Sequence, residues 1–213
     1  MSTTAAAHAN TKKSRRKVPS YLIKEWVYDI PVYYKGYRDV MKKNKTPEEI
    51  MADGMLQAIL KNWLHLLLGS GLNRENYWIL TGEVGSHISH GKNASHDLVI
   101  IEKRLLPPGK VSNHYADVPA RVVIEIDTTV EYGNDLPVEQ FVQQKTQQTL
   151  DFGTEKVIWI FTATQKVMVA SRGADWIISD WSKTIDVLDG VSFNLNAFIE
   201  KEGIQLDQPD SNP

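Results

Sequence analysis

A lysine stands where this chain asks for an apolar side chain. The segment Val138–Phe152 (VEQFVQQKTQQTLDF) has the spacing of an amphipathic helix. At about 100° per residue, Val138, Phe141, Val142, Thr149 and Phe152 share one face, and Lys145 falls near its middle. Gln140, Gln143, Gln144, Gln147 and Gln148 mostly take the other side. A lysine so placed must snorkel to solvent or meet a carboxylate. Glu125, inside the apolar run Val122–Ile126 (VVIEI), is the candidate partner, and Asp97 opens a second apolar run at 98–101 (LVII). An aspartate, a glutamate and a lysine at the ends of core elements are the tools of a metal-dependent phosphodiesterase.

Glu125 has apolar neighbours on both faces of its segment, which marks a central, buried strand. Burying even a neutral polar group without a partner costs on the order of 2–7 kcal/mol. A purely structural pair with Lys145 would meet that requirement, and so would a metal ion. Asp127 shares the strand parity of Glu125, so both can face one side. With Asp97 from an adjacent strand, they concentrate negative charge that calls for a cation. Asp97 also has a plain reading, as a turn residue opening a strand. Oxygen ligands in a chain without cysteine suit a hard ion, Mg²⁺ or Mn²⁺.

The histidines are less informative. His87, His90, His96 and His114 are expected in or near polar loops, and the stretch 86–97 reads SHISHGKNASHD. Its spacing matches no zinc hydrolase pattern, and no flanking helix supports one. His96, beside Asp97, is read as solvent-facing, with phosphate or metal positioning as the functional alternative. Gly82-Glu83-Val84-Gly85 follows a strand but lacks the spacing of a phosphate loop, and Glu83 is read as a loop carboxylate. No dinucleotide fingerprint, Walker loop or nucleophile elbow is present.

The elements that must position these groups follow from periodicity. Short strands are expected at 21–29 and 32–37 around a turn near Pro31. Thr46-Pro47-Glu48-Glu49 starts a helix, with proline in its first turn and acids at the positive end of the dipole. Ile50, Met51, Met55, Ile59, Leu60, Trp63, Leu64 and Leu67 continue it at helical spacing to Gly69-Ser70-Gly71. Strands are expected at 77–80, 97–102 and 121–127, then the Lys145 helix. Strands at 157–161, 167–170 and 176–179 and a short helix at 197–200 complete the order. That order predicts an α/β fold with a mixed central sheet flanked by helices.

The 213 residues suit one domain with a sizeable core, expected over 18–203. Residues 1–17 are expected to form a disordered basic tail, whose Lys12, Lys13, Arg15, Arg16 and Lys17 could touch phosphates or simply be solvated. Residues 204–213 are expected to be a flexible C-terminal tail. A hydrophobic content of 42% and charged content of 23% are ordinary for a globular protein. The sequence shows no membrane span, no signal-peptide core and no cysteine, so a cytoplasmic protein is expected. The net charge of −2 does not exclude a nucleic-acid enzyme, which needs only a local basic groove.

Across 96–160 the sequence resembles the Uma2 family of restriction-endonuclease-like proteins in the PD-(D/E)XK nuclease superfamily. The likeness runs from His96-Asp97-Leu98-Val99-Ile100 through Val123-Ile124-Glu125-Ile126 to Lys145, Gly153 and Val157-Ile158-Trp159-Ile160. It extends upstream through Tyr21-Leu22-Ile23, Tyr33-Tyr34-Lys35-Gly36-Tyr37 and Glu48-Glu49-Ile50-Met51, and covers residues 19–180. The chain departs from the family at His96, where proline is usual, and at Asp127, where a plain E-x-K pattern has lysine. Thr149 and Ile158 replace aromatic residues.

The resemblance implies a restriction-endonuclease-like core with Asp97, Glu125 and Lys145 as catalytic residues. Asp97, Glu125 and the Ile126 carbonyl would hold Mg²⁺ or Mn²⁺. Lys145 would orient or help deprotonate the attacking water, in place of the lysine displaced by Asp127. DNA is the expected substrate, framed by loops 82–96 and 103–118, and a homodimer is possible. The rival expectation is a catalytically inactive nuclease-fold module that binds nucleic acid or a protein partner. A weaker third expectation is a hydrolase of another phosphate ester.

Overall fold

The computed structural model describes residues 17–89, 92–126, 130–132 and 136–206. The basic tail up to position 16, His90, Asp127 and positions 207–213 lie outside the described residues.

The strands are β1 (Ile23–Val27), β2 (Ile30–Tyr34), β3 (Tyr77–Ser89), β4 (Lys92–Glu102), β5 (Val122–Ile126) and β6 (Val130–Tyr132), then β7 (Lys156–Phe161), β8 (Lys166–Ser171), β9 (Ile177–Asp180), β10 (Ile185–Leu188) and β11 (Val191–Phe193). The helices are α1 (Tyr37–Met41), α2 (Glu48–Met51), α3 (Met55–Gly71), α4 (Val138–Phe152) and α5 (Leu195–Glu202). The central sheet has six strands in the order β3-β4-β5-β7-β8-β9. Only its β5–β7 pairing is parallel, and α4 lies in the connection between those two strands. The fold is therefore α/β with a mixed sheet, as the sequence pattern predicts. Among the described residues, no helix is long and apolar enough to cross a membrane.

Strand alternation sorts the core onto two faces. Leu98, Ile100, Ile124, Ile126, Ile158 and Ile160 pack with Leu60, Leu64 and Leu68 of α3 and with the C-terminal hairpin and α5. Val99, Ile101, Val123, Val157 and Trp159 pack with Phe141 and Val142 of α4 and with Val27 and Val32 of the N-terminal strands. Glu125 shares the parity of Val123 and so falls on the α4 face. The indole N–H of Trp159 donates to the Thr146 hydroxyl at 2.8 Å, which fixes the rotation of α4 against the sheet.

The structure corrects several expectations from periodicity. The β1–β2 turn lies at Tyr28 and Asp29, both at positive φ (44° and 67°), and Pro31 is inside β2. That is the conformation a two-residue hairpin turn requires. Position 37 begins α1 rather than ending a strand. The long helix expected from Thr46 is two helices, broken between Met51 and Met55. The N-cap is Pro47 rather than Thr46, and the Thr46 N–H donates to Glu49 Oε2 at 2.6 Å. The polar residues 84–89 and 92–96 are not loops: β3 and β4 pair through them from Val84↔His96 to Ser89↔Lys92. The hairpin β10–β11 occupies a segment for which periodicity predicts no element.

Gly153 closes α4 at φ 124°, and its N–H donates to the Leu150 carbonyl at 3.0 Å. A Cβ there would lie 3.0 Å from Pro119. Gly153→Ala should therefore destabilise the fold by about 1–2 kcal/mol, the cost of holding an L-residue at positive φ. A urea titration followed by tryptophan fluorescence measures it; an unchanged midpoint would contradict the strained cap.

Candidate active site

The site forms where β4 and β5 part company. Their ladder runs from Ile100↔Val122 to Leu98↔Ile124 and stops there. One residue further, a side chain takes over: Asp97 Oδ2 accepts from the Ile126 N–H at 2.8 Å. The carbonyl of Ile126 accepts from Gln57 Nε2 of α3, also at 2.8 Å. Opposite Asp97 the outer strand carries a bulge, with Gly82 and Glu83 together facing that one residue. Their φ values of 99° and 56° identify it, and bulges of this kind re-aim neighbouring side chains. Here Asp97 turns toward Lys61 of α3 while His96 reaches Glu125 on the α4 face. Alternation continued from Leu98 would give the reverse.

Lys145 is 3% exposed and does not snorkel. Its Nζ lies 3.1 Å from Glu125 Oε1, 2.9 Å from Glu25 Oε1 and 2.7 Å from the Ser95 carbonyl. Phe141 and Trp159 place ring faces 5.7 and 5.8 Å from the same ammonium. Glu25 comes from β1, which is tied to α4 by Tyr28: its N–H donates to Gln148 Oε1 and its hydroxyl to Asp151. Asp97 Oδ1 is 2.7 Å from Lys61 Nζ, which also meets Asp53 Oδ2 at 2.8 Å.

Sequence reasoning thus named Asp97, Glu125, Ile126 and Lys145 among the residues that meet here and missed Glu25, Lys61, Asp53 and Gln57. It placed His96 in solvent, whereas His96 is 2% exposed with Nδ1 2.7 Å from Glu125 Oε1. The alternation of 93–98 (NASHDL) is the strand signal in this stretch, hidden by its polar composition. His87 and His114 do lie on the exposed side of their segments. Asp127 is outside the described residues.

Charge sets the properties of the cluster. Burial opposes the charge of Glu125, but Lys145 and then His96 hold its carboxyl down at about 2. Burial also opposes the charge of Lys145, yet Glu125 and Glu25 outweigh it and hold its pKa above the ordinary lysine value. Asp97 behaves oppositely to Glu125. Burial and the Glu125 charge raise its pKa, against the pull of Lys61 and the Ile126 N–H. Four carboxylates therefore face two lysines, an excess of two negative charges when His96 is neutral.

Glu125 gives an acid dependence. Its folded pKa is depressed, so its stabilisation is present above the ordinary value of 4.5 and lost as pH falls toward about 2. The loss is about 3 kcal/mol for that shift. Asp97, shifted upward, offsets part of it. Denaturant midpoints at pH 7 and pH 3 should thus fall less in Glu125→Gln than in the unaltered protein, and equal falls would contradict the assigned shift.

A hard divalent ion can be tested against these donors. Among the described residues, no three His, Cys, Asp or Glu side chains are grouped as a metal site. The Asp97 and Glu125 carboxylates and the Ile126 carbonyl are oxygen donors on adjacent strands at the fork, and burial first, then the Glu125 charge, raise the pKa of Asp97. Among the described residues, His96 and Lys145 both meet Glu125 at Oε1, so a ligand at Oε2 displaces neither. The donor chemistry fits Mg²⁺ or Mn²⁺, with Lys61 and Gln57 sharing or ceding the oxygens of Asp97 and Ile126.

A mixed sheet whose inner strands fork around two acids, with a lysine supplied by the flanking helix, defines the class of architecture. No family model matches the sequence, and no curated protein matches it. Among solved structures the chain is similar to a candidate nuclease belonging to DUF820 from Anabaena variabilis ATCC 29413. The likeness covers 65% of this chain and 74% of that one, with a TM-score of 0.53 and 15% identity. DUF820 is of the Uma2 type. At that identity the likeness establishes the fold, which is the one the sequence resemblance implied.

Proposed function

We propose that this protein is a metal-dependent nuclease that hydrolyses DNA phosphodiester bonds at the Asp97–Glu125–Lys145 site. The observation that carries the reading is the buried Lys145 ammonium 3.1 Å from Glu125, at the sheet end where Asp97 caps the strand. The fold it shares with a candidate nuclease supports it.

Asp97, Glu125 and the Ile126 carbonyl would hold Mg²⁺ or Mn²⁺. When bound, such an ion acidifies a coordinated water and polarises the phosphoryl oxygen. The protein supplies the rest. Lys145 keeps its proton, since two carboxylates hold its pKa above the ordinary value. It therefore orients the attacking water and offsets charge on the phosphoryl group rather than accepting a proton, which narrows the role expected from sequence. Glu25 and the Ser95 carbonyl hold the ammonium in place. Gln57 and Lys61 brace the Ile126 carbonyl and Asp97 from the opposite face.

Plasmid and linear DNA incubated with the protein in Mg²⁺, Mn²⁺ or EDTA test the reading. Cleavage that needs the metal and is lost in Glu125→Gln supports it. Cleavage that persists in EDTA, or equally in the variant, overturns it. One observation favours the inactive binding module: Lys61 and Gln57 already occupy an oxygen of Asp97 and the Ile126 carbonyl. Titration calorimetry with Mg²⁺ separates the two, because the module gives no metal heat while still binding DNA.

A further inference from the structure

The hairpin β3–β4 runs well past the acids, and the segment 115–117 lies along its outer edge. Ala116 N–H donates to the Gly85 carbonyl at 3.0 Å, and His87 N–H donates to the Ala116 carbonyl at 2.7 Å. This pairing opens a cavity of about 820 Å³ between the hairpin and the loop after β4. Leu80, Val84 and Ile101 form its apolar floor, and Lys110, His87 and His114 stand around it. Asp117 is the acid among its lining residues.

Tyr115 gives the cavity its character. It is 57% exposed, yet its ring is seated on the backbone of Gly85, where a Cβ would collide with the Tyr115 ring. Any larger residue at position 85 would push the ring away. An aromatic face held on a rigid strand and open on its other side is a stacking platform. Gly85 pairs with Ser95, the residue whose carbonyl binds Lys145 at 2.7 Å. The platform is thus one strand away from the lysine of the proposed active site.

We propose that this cavity binds an unpaired nucleotide of a single-stranded nucleic acid, its base stacked on Tyr115 and its phosphates drawn by Lys110, with the two histidines within reach as hydrogen-bonding groups. The proposal rests on the nuclease reading of the neighbouring site and adds the strandedness of the substrate. A base inside a duplex hides its faces in the stack, whereas an unpaired base offers one to an aromatic ring. Cationic groups beside an aromatic platform are the general means of holding single strands without reading sequence.

Fluorescence anisotropy in EDTA tests this without cleavage, using a labelled mixed-sequence oligonucleotide, single-stranded or annealed. The single strand should bind more tightly than the duplex. Tyr115→Ala should weaken single-strand binding about 10-fold, the loss of one base stack, while Tyr115→Phe retains it. Equal affinity of Tyr115→Ala for the single strand, or a duplex bound as tightly as the single strand, overturns the proposal. Metal-dependent cleavage with unchanged Tyr115→Ala binding removes the platform and leaves the nuclease. Binding through Tyr115 with no cleavage in Mg²⁺ or Mn²⁺ keeps the platform and removes the nuclease.

Discussion

Lys145→Met is expected to abolish cleavage and to cost about 3–5 kcal/mol of stability, because it strands two buried carboxylates. Glu25 and Glu125 are each 5% exposed, and Lys145 is the cation they share. Methionine fills the volume but leaves their charges facing one another in a site from which water is largely excluded. Without the ammonium, burial becomes the dominant influence on Glu125, and its pKa rises from about 2 toward or beyond the ordinary carboxylate range. The sign of the pH dependence then reverses for that residue. In the unaltered protein, acidification through that range removes stability; in the variant, protonating the carboxylate relieves a penalty. Urea unfolding at pH 7 and pH 3 checks both parts. A variant as stable as its parent at pH 7 would show that the pair contributes nothing and would remove the structural reason for a buried lysine.

Asp97→Asn should behave differently: cleavage falls to the level seen without metal, while the fold survives. Burial and the Glu125 charge already raise the pKa of Asp97, so its ionised form is held at a disadvantage. Exchanging it for a neutral amide of the same shape removes repulsion as well as attraction. The amide oxygen can still accept from the Ile126 N–H or from Lys61, though not from both with its nitrogen in the other place. The net cost is on the order of one hydrogen bond, about 1–2 kcal/mol. Lys61 retains Asp53 as a partner. A nuclease assay alongside a denaturation curve reads both effects. Full cleavage in Asp97→Asn would remove this residue from the metal set; a collapse comparable with Lys145→Met would mean that its charge, not its shape, closes the fork.

The contrast shows what the sequence could reveal. The Lys145–Glu125 contact was legible because two strong periodic signals each contained one misfit, and the misfits had opposite charge. The sheet and the place of α4 were legible for the same reason, since buried strands read as continuous apolar runs. The lysine of α3 carried the same kind of signal and was overlooked. Gln57 and Lys61 lie one turn apart among Leu60, Leu64 and Leu68, all buried, whereas Met55 and Ile59, which share the helical spacing, are exposed. That helix has apolar residues on most of its circumference, so spacing alone did not fix its rotation. Glu25 gave no usable signal. It sits in a five-residue strand, 120 positions from the lysine it holds, and no local pattern specifies so distant a partner. His96 was misplaced because a bulge on the neighbouring strand, not its own sequence, aims it inward.

The fork between β4 and β5 has a mechanical meaning too. At Ile126 the sheet is not fastened to β4 by another strand's backbone; its N–H and carbonyl are held by the side chains of Asp97 and Gln57. Side chains can let go by rotating about single bonds, without disturbing any rung of the ladder beside them. The protein therefore has a seam in its sheet, fastened from one side by a strand and from the other by a helix. Whatever binds the Asp97 carboxylate or the Ile126 carbonyl must deal with that fastening first. Occupancy of the site and the closure of the sheet's end are thus two readings of the same few hydrogen bonds.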